Sequence, residues 1–386
     1  MVRAFAFYFP QFHTIYENDL WWSKNFTDWD LVRKARGKNT SQRHPRTPLH
    51  GFYDLARPEV IASQALMAKN NGITGFNIYH YWFDGQVLLD KPLKNLHADA
   101  QIDIKFMLTW ANESWTRQWV GQPNNYLVKQ KYSNAVDSVQ MHYNYLRTYF
   151  QDSRYEKVNG APVFCIYRPE LVPNLSEWQS QIVSLALADG FSGIHFLACR
   201  SYDLVNQHQL YTGFSGVINF NPRYALNRYL RPNTLAGKKL ERLLRLLPEK
   251  IQLMLSSIRM RSQRTTSYDY AAYVACMSDQ ASKNDNVLPP IYPSVFPDWD
   301  NTARYASKAT FFYNVSTDLF IEACRFSIDS LTTRHQPWLF INAWNEWSEA
   351  AYLEPDTESG MNVLDQLHEF LKSSDPECGK IDIMTS

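Results

Sequence analysis

Two glutamates, Glu346 and Glu349, have the most specific spacing for chemistry in this sequence. On a straight strand, residues three apart point to opposite faces, but where a strand gives way to a turn they come onto one side. Two close carboxylates disfavour ionising together, so one can hold a proton as general acid while the other acts as base. Glycosidic bond chemistry requires this asymmetry. The alternative is a helix N-terminus, where the dipole attracts acidic side chains.

The elements that must position these glutamates are short apolar runs separated by helix-length segments. We predict strands at 3–9, 75–82, 105–110, 163–168, 194–198, 216–220, 290–296 and 338–342. We predict helices most clearly at 58–70, 134–150, 176–187 and 317–330. Buried-type strands that alternate with helices predict an α/β fold, a (β/α)8 TIM-type barrel. Residues 1–372 would form this single catalytic domain, and 373–386 a C-terminal tail.

The stretch 222–285 is too long for one connection, so we predict a helical, basic insertion between strands six and seven. Residues 223–264 contain eleven basic and two acidic residues, a local charge of +9. Leucines recur there at helical spacing, and Pro248 interrupts the pattern. One interpretation is peripheral contact with an anionic membrane or a lipid-linked pyrophosphate substrate. The other is a helical hairpin packed on the barrel with a solvated basic face.

The composition excludes some classes of function. A formal net charge of +1 gives no reason to expect nucleic acid as a partner. The five cysteines are scattered without a Cys-x-x-Cys pair, which favours reduced thiols over disulfides or a zinc site. No apolar run approaches the roughly 18 residues of a membrane-spanning helix. We therefore expect a cytoplasmic protein, with peripheral association at the inner membrane face as an option.

Aromatic residues make up 15% of the chain, and several stand beside Asn, Asp, Glu and Arg. Sugar rings have apolar C–H faces and a polar rim, so this pairing suits a carbohydrate site, although a large core could hold the same aromatics.

Polar and aromatic clusters follow five of the predicted strands, at the end where βα barrels carry their catalytic groups. The candidate substrate-binding residues are Tyr8, Gln11, His13, His80, Tyr81, Trp110, Asn112, Glu113, Trp115, Arg117, Asp298, Trp299, Asp300, Asn301, Arg304, Asn345 and Trp347. Each has a structural alternative: Glu113 could pair with Arg117 at i,i+4, a histidine could be a satisfied buried group, and a tryptophan could plug the barrel top.

Asp298-Trp-Asp300 has the Asp-x-Asp pattern with which some glycosyltransferases hold a metal and a sugar nucleotide. The pattern is short, and the first βα unit is not Rossmann-like. We therefore expect no cofactor and no divalent metal. A sugar nucleotide would enter only as a donor substrate.

These motifs together resemble the WbsX family, which is related to the endo-acting α-mannosidases and α-mannanases of glycoside hydrolase family 99. The resemblance is carried by segments 7–13 (FYFPQFH), 79–83 (YHYWF), 110–115 (WANESW), 295–302 (VFPDWDNT), 343–349 (AWNEWSE) and 352–356 (YLEPD). It implies a barrel and a metal-free, retaining reaction at an α-linked sugar. Glu346 would remove the proton of the sugar 2-hydroxyl so that O2 attacks C1 and gives a 1,2-anhydro sugar. Glu349 would protonate the leaving oxygen.

The sequence departs from those hydrolases at Ser348-Glu349-Ala350, where they have His-Glu-Gly. A contact that helps to define a mannanase site is therefore in question. WbsX proteins are usually encoded with O-antigen and capsule synthesis functions.

The expectation from the sequence is a carbohydrate-active enzyme of bacterial surface-polysaccharide assembly that transfers a glycosyl group to or from an oligosaccharide or lipid-linked glycan. The first alternative is an endo-acting glycosidase of the same glycans, which differs only in using water as acceptor. The second is a glycan-binding barrel without activity.

Overall fold

Eight parallel strands form the centre of the computed structural model, which describes residues 2–38, 40–117, 122–204, 207–230, 265–282 and 289–374. At residues 117, 122–124 and 278–282 the description covers the backbone alone. The barrel strands, β1 to β8 in chain order, are Arg3–Tyr8, Ile73–Phe83, Lys105–Trp110, Ala161–Ile166, His195–Arg200, Gly216–Asn219, Ile291–Val295 and Trp338–Ile341.

Each barrel strand pairs in parallel with the next one along the chain, and the last pairs with the first. Strand β1 pairs with β2 through Phe5 and Gly75. It pairs with β8 through Arg3 and Trp338, which closes the sheet. The sequence prediction of a (β/α)8 barrel is confirmed, and each predicted strand overlaps an observed one.

Alternation along the strands decides which side chains enter the barrel and which meet the helices around it. In β2, Asn77 lies inside, where it accepts a hydrogen bond from Thr109 Oγ1 of β3 at 2.6 Å. Tyr79, two residues on, stacks on Phe7 of β1 with ring centroids 5.8 Å apart. His80, of opposite parity, has Nε2 3.0 Å from Nε2 of His142 on an outer helix.

The helices surround the barrel and connect consecutive strands. The α-helices of at least five residues are Tyr16–Trp21, Trp29–Lys34, Pro58–Asn70, Lys91–Ala98, Val136–Phe150, Leu175–Ala188, Gln207–Tyr211, Tyr270–Ser282, Thr317–Asp329 and Asn362–Ser373. The four helices predicted from the sequence are all present, with ends within two residues of the prediction. Proline at the first position starts Pro58–Asn70, and Gly72 follows its end at φ +81°, a conformation that glycine adopts without strain.

Two antiparallel hairpins stand at the C-terminal end of the barrel. Strand Trp115–Arg117 pairs with Gln122–Val128 after β3. Strand Asn345–Glu346 pairs with Ala351–Tyr352 after β8. Outside the barrel, Gln86–Leu88 pairs with the end of β2 and Lys157–Val158 with β4, and Thr266–Asp269 pairs with Thr310–Tyr313 in parallel.

The predicted insertion is described at its two ends. Helical turns at Arg223–Ala225 and Leu226–Leu230 follow β6, and helix Tyr270–Ser282 packs on Thr317–Asp329 before β7. Residues 231–264, which carry most of the predicted basic segment, lie outside the described residues, as does the predicted tail from 375 onward. Among the described residues, no helix combines the length and apolarity needed to cross a lipid bilayer.

Candidate active site

A hairpin after β8 presents both glutamates to the same space. Asn345 and Glu346 pair with Tyr352 and Ala351, and the single 3-10 turn Trp347–Glu349 connects the two short strands. Ala350 ends the turn in the left-handed conformation, at φ 55°. A strand end that passes at once into a turn brings carboxylates three residues apart together, as the spacing predicted.

One guanidinium joins the two glutamates. Arg304 Nη1 donates to Glu349 Oε1 at 2.7 Å, and Nη2 donates to Glu346 Oε1 at 3.0 Å. Nη2 also lies 3.2 Å from Asp28 Oδ2. Arg304 comes from the short helix Thr302–Tyr305 after β7, and its side chain is 8% exposed. A single buried cation therefore faces three buried carboxyl groups.

The Ser348 hydroxyl connects two of these carboxyl groups. Its Oγ lies 2.9 Å from Asp28 Oδ2 and 3.0 Å from Glu346 Oε1. A hydroxyl has one proton to donate and can accept others. Both contacts are hydrogen bonds when one carboxyl donates its own proton to Ser348 and Ser348 donates to the other. The geometry thus accommodates a proton shared between Glu346 and Asp28.

The electrostatics of the cluster agree with a bound proton. Burial raises the pKa of Glu346 to about 8, with the charges of Glu349 and Asp28 acting in the same direction and Arg304 against it. Burial also raises the pKa of Asp28, again opposed by Arg304. The raised pKa of Glu346 favours its protonated form in the free protein near neutral pH. The base role that the family resemblance implies for Glu346 requires this proton to move first.

The cluster lines a cleft that contains about 1070 Å³ of empty space, open solvent included. Aromatic rings supply much of the wall, namely Phe9, Trp21, Trp22, Phe26, Tyr79, Tyr81, Trp115, Tyr167, Phe220 and Tyr305. Polar side chains complete it, namely Gln11, Asn18, Asp28, Glu113, Ser114, Thr116, Arg223, Arg304, Asn342, Glu346 and Glu349. Such a wall offers flat apolar faces beside hydrogen-bonding groups, which matches the two kinds of surface on a sugar ring.

Several residues predicted from the sequence meet in this cleft: Gln11, Tyr81, Glu113, Trp115, Arg304, Glu346 and Glu349. Gln11 Nε2 donates to the Tyr81 hydroxyl at 2.8 Å. Trp115 packs edge-on against Tyr81, with ring centroids 5.0 Å apart. Glu113 forms an ion pair with Arg168, which follows β4. The side chain of Arg117 lies outside the described part of the chain.

Three other predicted residues point away from the cleft because strand alternation turns them toward the helices. The Tyr8 hydroxyl donates to Gln64 of helix Pro58–Asn70 at 2.6 Å. His80 contacts His142 on Val136–Phe150, and burial lowers the pKa of His80 to about 3. Trp110 stacks on Trp178, with ring centroids 5.2 Å apart.

A second group of predicted residues satisfies backbone groups of the loops. Asn345 Oδ1 accepts from Phe9 N at 2.7 Å, and its Nδ2 donates to Phe9 O at 3.0 Å. Asn112 forms the same two-way contact with the backbone of Arg168, at 2.8 Å each way. Asn301 Oδ1 accepts from Thr310 N at 2.7 Å. These amides hold the loops that carry the site.

Asp298 and Asp300 face different partners rather than one metal position. Asp298 accepts from Arg46 at 2.7 Å. Asp300 lies 2.9 Å from His44 and accepts from Thr302 N, also at 2.9 Å, at the start of the helix that carries Arg304. The part of the chain that the structure describes contains no grouping of three or more His, Cys, Asp and Glu side chains suited to a metal ion.

The remaining predicted residues are buried outside the cleft lining. Trp347 stacks on Tyr352 with ring centroids 3.7 Å apart, and its Nε1 donates to Glu354 at 2.7 Å. Trp299 is 4% exposed. His13 is also buried, which lowers its pKa to about 4 although Asp54 opposes the shift.

Sequence reasoning missed several lining residues, most importantly Asp28, Tyr79, Tyr167, Arg223 and Tyr305. Tyr79 was detectable, because it shares the strand parity of Tyr81. Asp28 stands in an Asp-Trp-Asp pattern like that at 298–300, which was the available signal. The other three carry no local pattern that separates them from residues of the core.

A cleft with buried carboxyl groups among the segments that follow the barrel strands is the arrangement in which (β/α)8-barrel enzymes carry their active sites. Residues 4–367 match the family described as Glycosyltransferase WbsX, and the chain belongs to that family. This agrees with the resemblance seen in its motifs.

Two curated relatives, both named Uncharacterized protein WxcX, come from Xanthomonas campestris pv. campestris strains B100 and ATCC 33913. Each is 31% identical to this chain over 377 residues, which covers 95% of this chain and 49% of the relative. The chain therefore spans about half the length of these relatives.

Solved structures share the fold at low sequence identity. A GH99 endo-alpha-mannosidase from Bacteroides thetaiotaomicron matches with a TM-score of 0.55 and 12% identity, over 96% of this chain and 97% of that chain. A structure named Glycoside hydrolase-like protein matches with a TM-score of 0.58 and 12% identity, over 96% of this chain and 94% of that chain.

Proposed function

We propose that this protein transfers a glycosyl group with retention at an α-linked sugar during bacterial surface-polysaccharide biosynthesis, of O-antigen or capsule, with Glu346 and Glu349 as the acid/base pair. The observation that carries the proposal is the contact of both glutamates with Arg304, at 3.0 and 2.7 Å, inside an aromatic cleft. Membership of a family described as glycosyltransferases supports transfer. The substrate would be an oligosaccharide or a lipid-linked glycan in or near the cytoplasm.

In the first step, Glu346 takes the proton of the sugar 2-hydroxyl while O2 bonds to C1 and the bond from C1 to the leaving oxygen breaks. Glu349 gives a proton to that oxygen where the leaving group needs one. In the second step, the acceptor hydroxyl bonds to C1 and gives its proton to Glu349. The O2–C1 bond breaks, and O2 recovers its proton from Glu346. Two inversions at C1 give net retention.

The base role of Glu346 requires a place for its resting proton. Ser348 Oγ lies between Glu346 and Asp28, at 3.0 and 2.9 Å, and Arg304 Nη2 contacts both carboxyl groups. A proton that passes through Ser348 to Asp28 leaves Glu346 ionised beside the sugar. Ser348 thus has a function here at the position where the related hydrolases have histidine.

The alternative is an endo-acting glycosidase of the α-mannosidase type, in which water replaces the acceptor hydroxyl. The similarity of the fold to GH99 endo-alpha-mannosidase structures favours this candidate. A glycan-binding barrel without activity would not need two carboxyl groups held by one arginine.

The test is to incubate wild type, Glu346→Gln and Glu349→Gln with lipid-linked oligosaccharide, with and without sugar nucleotides, and to analyse the products by mass spectrometry and NMR. Glu322→Gln is the matched control, because Glu322 is exposed on helix Thr317–Asp329. Glycan growth that requires a nucleotide donor and both glutamates would support transfer. Shortening of the glycan without a nucleotide donor would support the glycosidase and exclude the transferase. Full activity in both glutamine variants would exclude the mechanism.

A further inference from the structure

Three side chains that can donate hydrogen bonds line the cleft together with the glutamates. Arg223 follows β6, Tyr167 follows β4, and Tyr305 ends the helix that carries Arg304; all three line the cleft. Within the residues that the structure describes, no hydrogen bond or ion pair involves the Arg223 guanidinium or the two hydroxyls. The three side chains therefore offer their protons to whatever occupies the cleft.

The other arginines at the cleft are already engaged. Arg304 contacts three carboxyl groups. Arg168 pairs with Glu113 and, at 2.5 Å, with Glu170. Arg223 is the remaining cation of the described lining, and a guanidinium carries five N–H donors in a fixed plane. A cation held in a cleft with its donors unused is the arrangement that binds an oxyanion.

The three donors line one cleft, and their charges affect one another. Tyr167 has the largest effect on Arg223 and raises its pKa, and the charge of Arg223 opposes the rise that burial causes in the pKa of both Tyr167 and Tyr305. The two phenols stay protonated at neutral pH and act as donors. Among the carboxylates, Glu349 has the largest effect on Arg223. Glu349 and the three donors line the same cleft.

We propose that Arg223, Tyr167 and Tyr305 form a phosphate subsite, which binds the phosphate bonded to the anomeric oxygen of a glycosyl phosphate substrate. The assignment of phosphate rests on the proposed function, in which Glu349 acts at the glycosidic oxygen, since the group next to that oxygen then lies beside Arg223. The phosphate belongs to a nucleotide or to a lipid diphosphate, and both present the same oxyanion.

This substrate class changes what Glu349 must do. When the C1–O bond breaks, its electron pair leaves with the phosphate oxygen, and the resulting anion is neutralised by Arg223 without a proton from Glu349. Glu349, in its ion pair with Arg304, then takes the proton of the acceptor hydroxyl as that oxygen bonds to C1.

The test is calorimetric titration of the full chain with α-mannose 1-phosphate and with neutral methyl α-mannoside. We expect wild type to bind the phosphate at least tenfold more tightly. Arg223→Gln should abolish this advantage and leave the affinity for methyl α-mannoside unchanged, whereas the exposed control Arg325→Gln should change neither. Tyr167→Phe and Tyr305→Phe should each weaken phosphate binding severalfold, and they remain informative if Arg223→Gln fails to fold.

Titration with uridine diphosphate tests a nucleotide as the source of the phosphate, and titration with a short prenyl diphosphate in detergent tests a lipid. The subsite is supported if either compound binds and if Arg223→Gln weakens that binding. Binding of neither, or equal phosphate affinity in wild type and Arg223→Gln, would overturn the proposal. Arg223-dependent binding of a glucuronate oligosaccharide without phosphate binding would also overturn it, in favour of a sugar carboxylate. Glu346→Gln should bind the phosphate as wild type does, and full turnover in this variant would count against the proposed function and not against the subsite.

Discussion

Arg304 Nη2 lies 3.0 Å from Glu346 Oε1, yet the pKa of Glu346 is raised to about 8. A neighbouring guanidinium ordinarily favours the ionised carboxylate. Here its charge is divided among three carboxyl groups, and complete burial of Glu346 outweighs it. Burial of the cluster therefore favours the protonated form of Glu346.

The first prediction concerns stability against pH. The folded-state pKa of Glu346 lies above its ordinary value, so its contribution to stability is fully present below about pH 4.5 and is lost as the pH rises through about 8. Glutamine does not titrate. The free energy of unfolding of Glu346→Gln should thus rise relative to that of wild type between pH 5 and 9, by an amount on the order of a few kcal/mol. Scanning calorimetry of both proteins across this pH range gives the measurement. A stability difference between Glu346→Gln and wild type that does not change with pH would contradict the prediction. For the control Glu322→Gln we expect such a constant difference.

The second prediction concerns Asp28. Its charge raises the pKa of Glu346, so Asp28→Asn should lower that pKa and move the rising limb of the pH profile of kcat/KM to lower pH. The carbonyl stretch of the protonated carboxyl in infrared spectra gives the same pKa without a substrate. An unchanged midpoint would mean that the two carboxyl groups do not interact. Asp30→Asn, two residues further, is the control.

The third prediction concerns Arg304. The guanidinium of Arg304 contacts the three carboxyl groups through two terminal nitrogens, whereas lysine has one ammonium nitrogen. Arg304→Lys therefore cannot keep all three contacts. Removing one partner of a buried charge cluster costs about 3–5 kcal/mol. We expect a loss of this order in the free energy of unfolding, and a fall in turnover of about 100-fold or more. Arg325→Lys, on an exposed face, should change neither urea unfolding nor turnover.

The fourth prediction separates tryptophans that bind from those that support. Trp115 lines the cleft, so Trp115→Phe should weaken glycan binding with little effect on stability. Trp347→Phe removes the donor to buried Glu354 and should cost about 1–3 kcal/mol of stability with glycan affinity unchanged. Calorimetric titration and thermal melts of both variants give the comparison. Loss of stability in Trp115→Phe together with loss of glycan affinity in Trp347→Phe would contradict the prediction.

The sequence was sufficient for the barrel because run length, apolar character and helix-length spacing are local properties. It also located the two glutamates, since a strand end followed by a turn can be recognised in the chain itself. The sequence was less informative about which side chains of a strand face the cleft and which face the surrounding helices. Tyr81 enters the cleft and His80 meets His142, and no composition argument distinguishes neighbours in an aromatic strand that is buried on both faces.

The remaining site residues depend on tertiary structure. Asp28 reaches Arg304 across 276 positions of the chain. Arg223 lies in the cleft because β6 pairs with β7 in the barrel, so the segments that follow the two strands line the same cleft. Asn112 and Asn345 looked like sugar ligands, because an amide that binds a hydroxyl and an amide that binds a backbone have the same sequence signature. Their partners, Arg168 and Phe9, are 56 and 336 residues distant.

The two-way contact between Asn345 and Phe9 has a consequence for biosynthesis. It joins the loop after the first barrel strand to the hairpin after the last, across a separation of 336 residues. The ribosome must therefore have released almost the whole barrel before Glu346 and Glu349 can meet Arg304. A chain truncated before the hairpin lacks both glutamates, so we expect the proposed activity only after the last strand has joined the first.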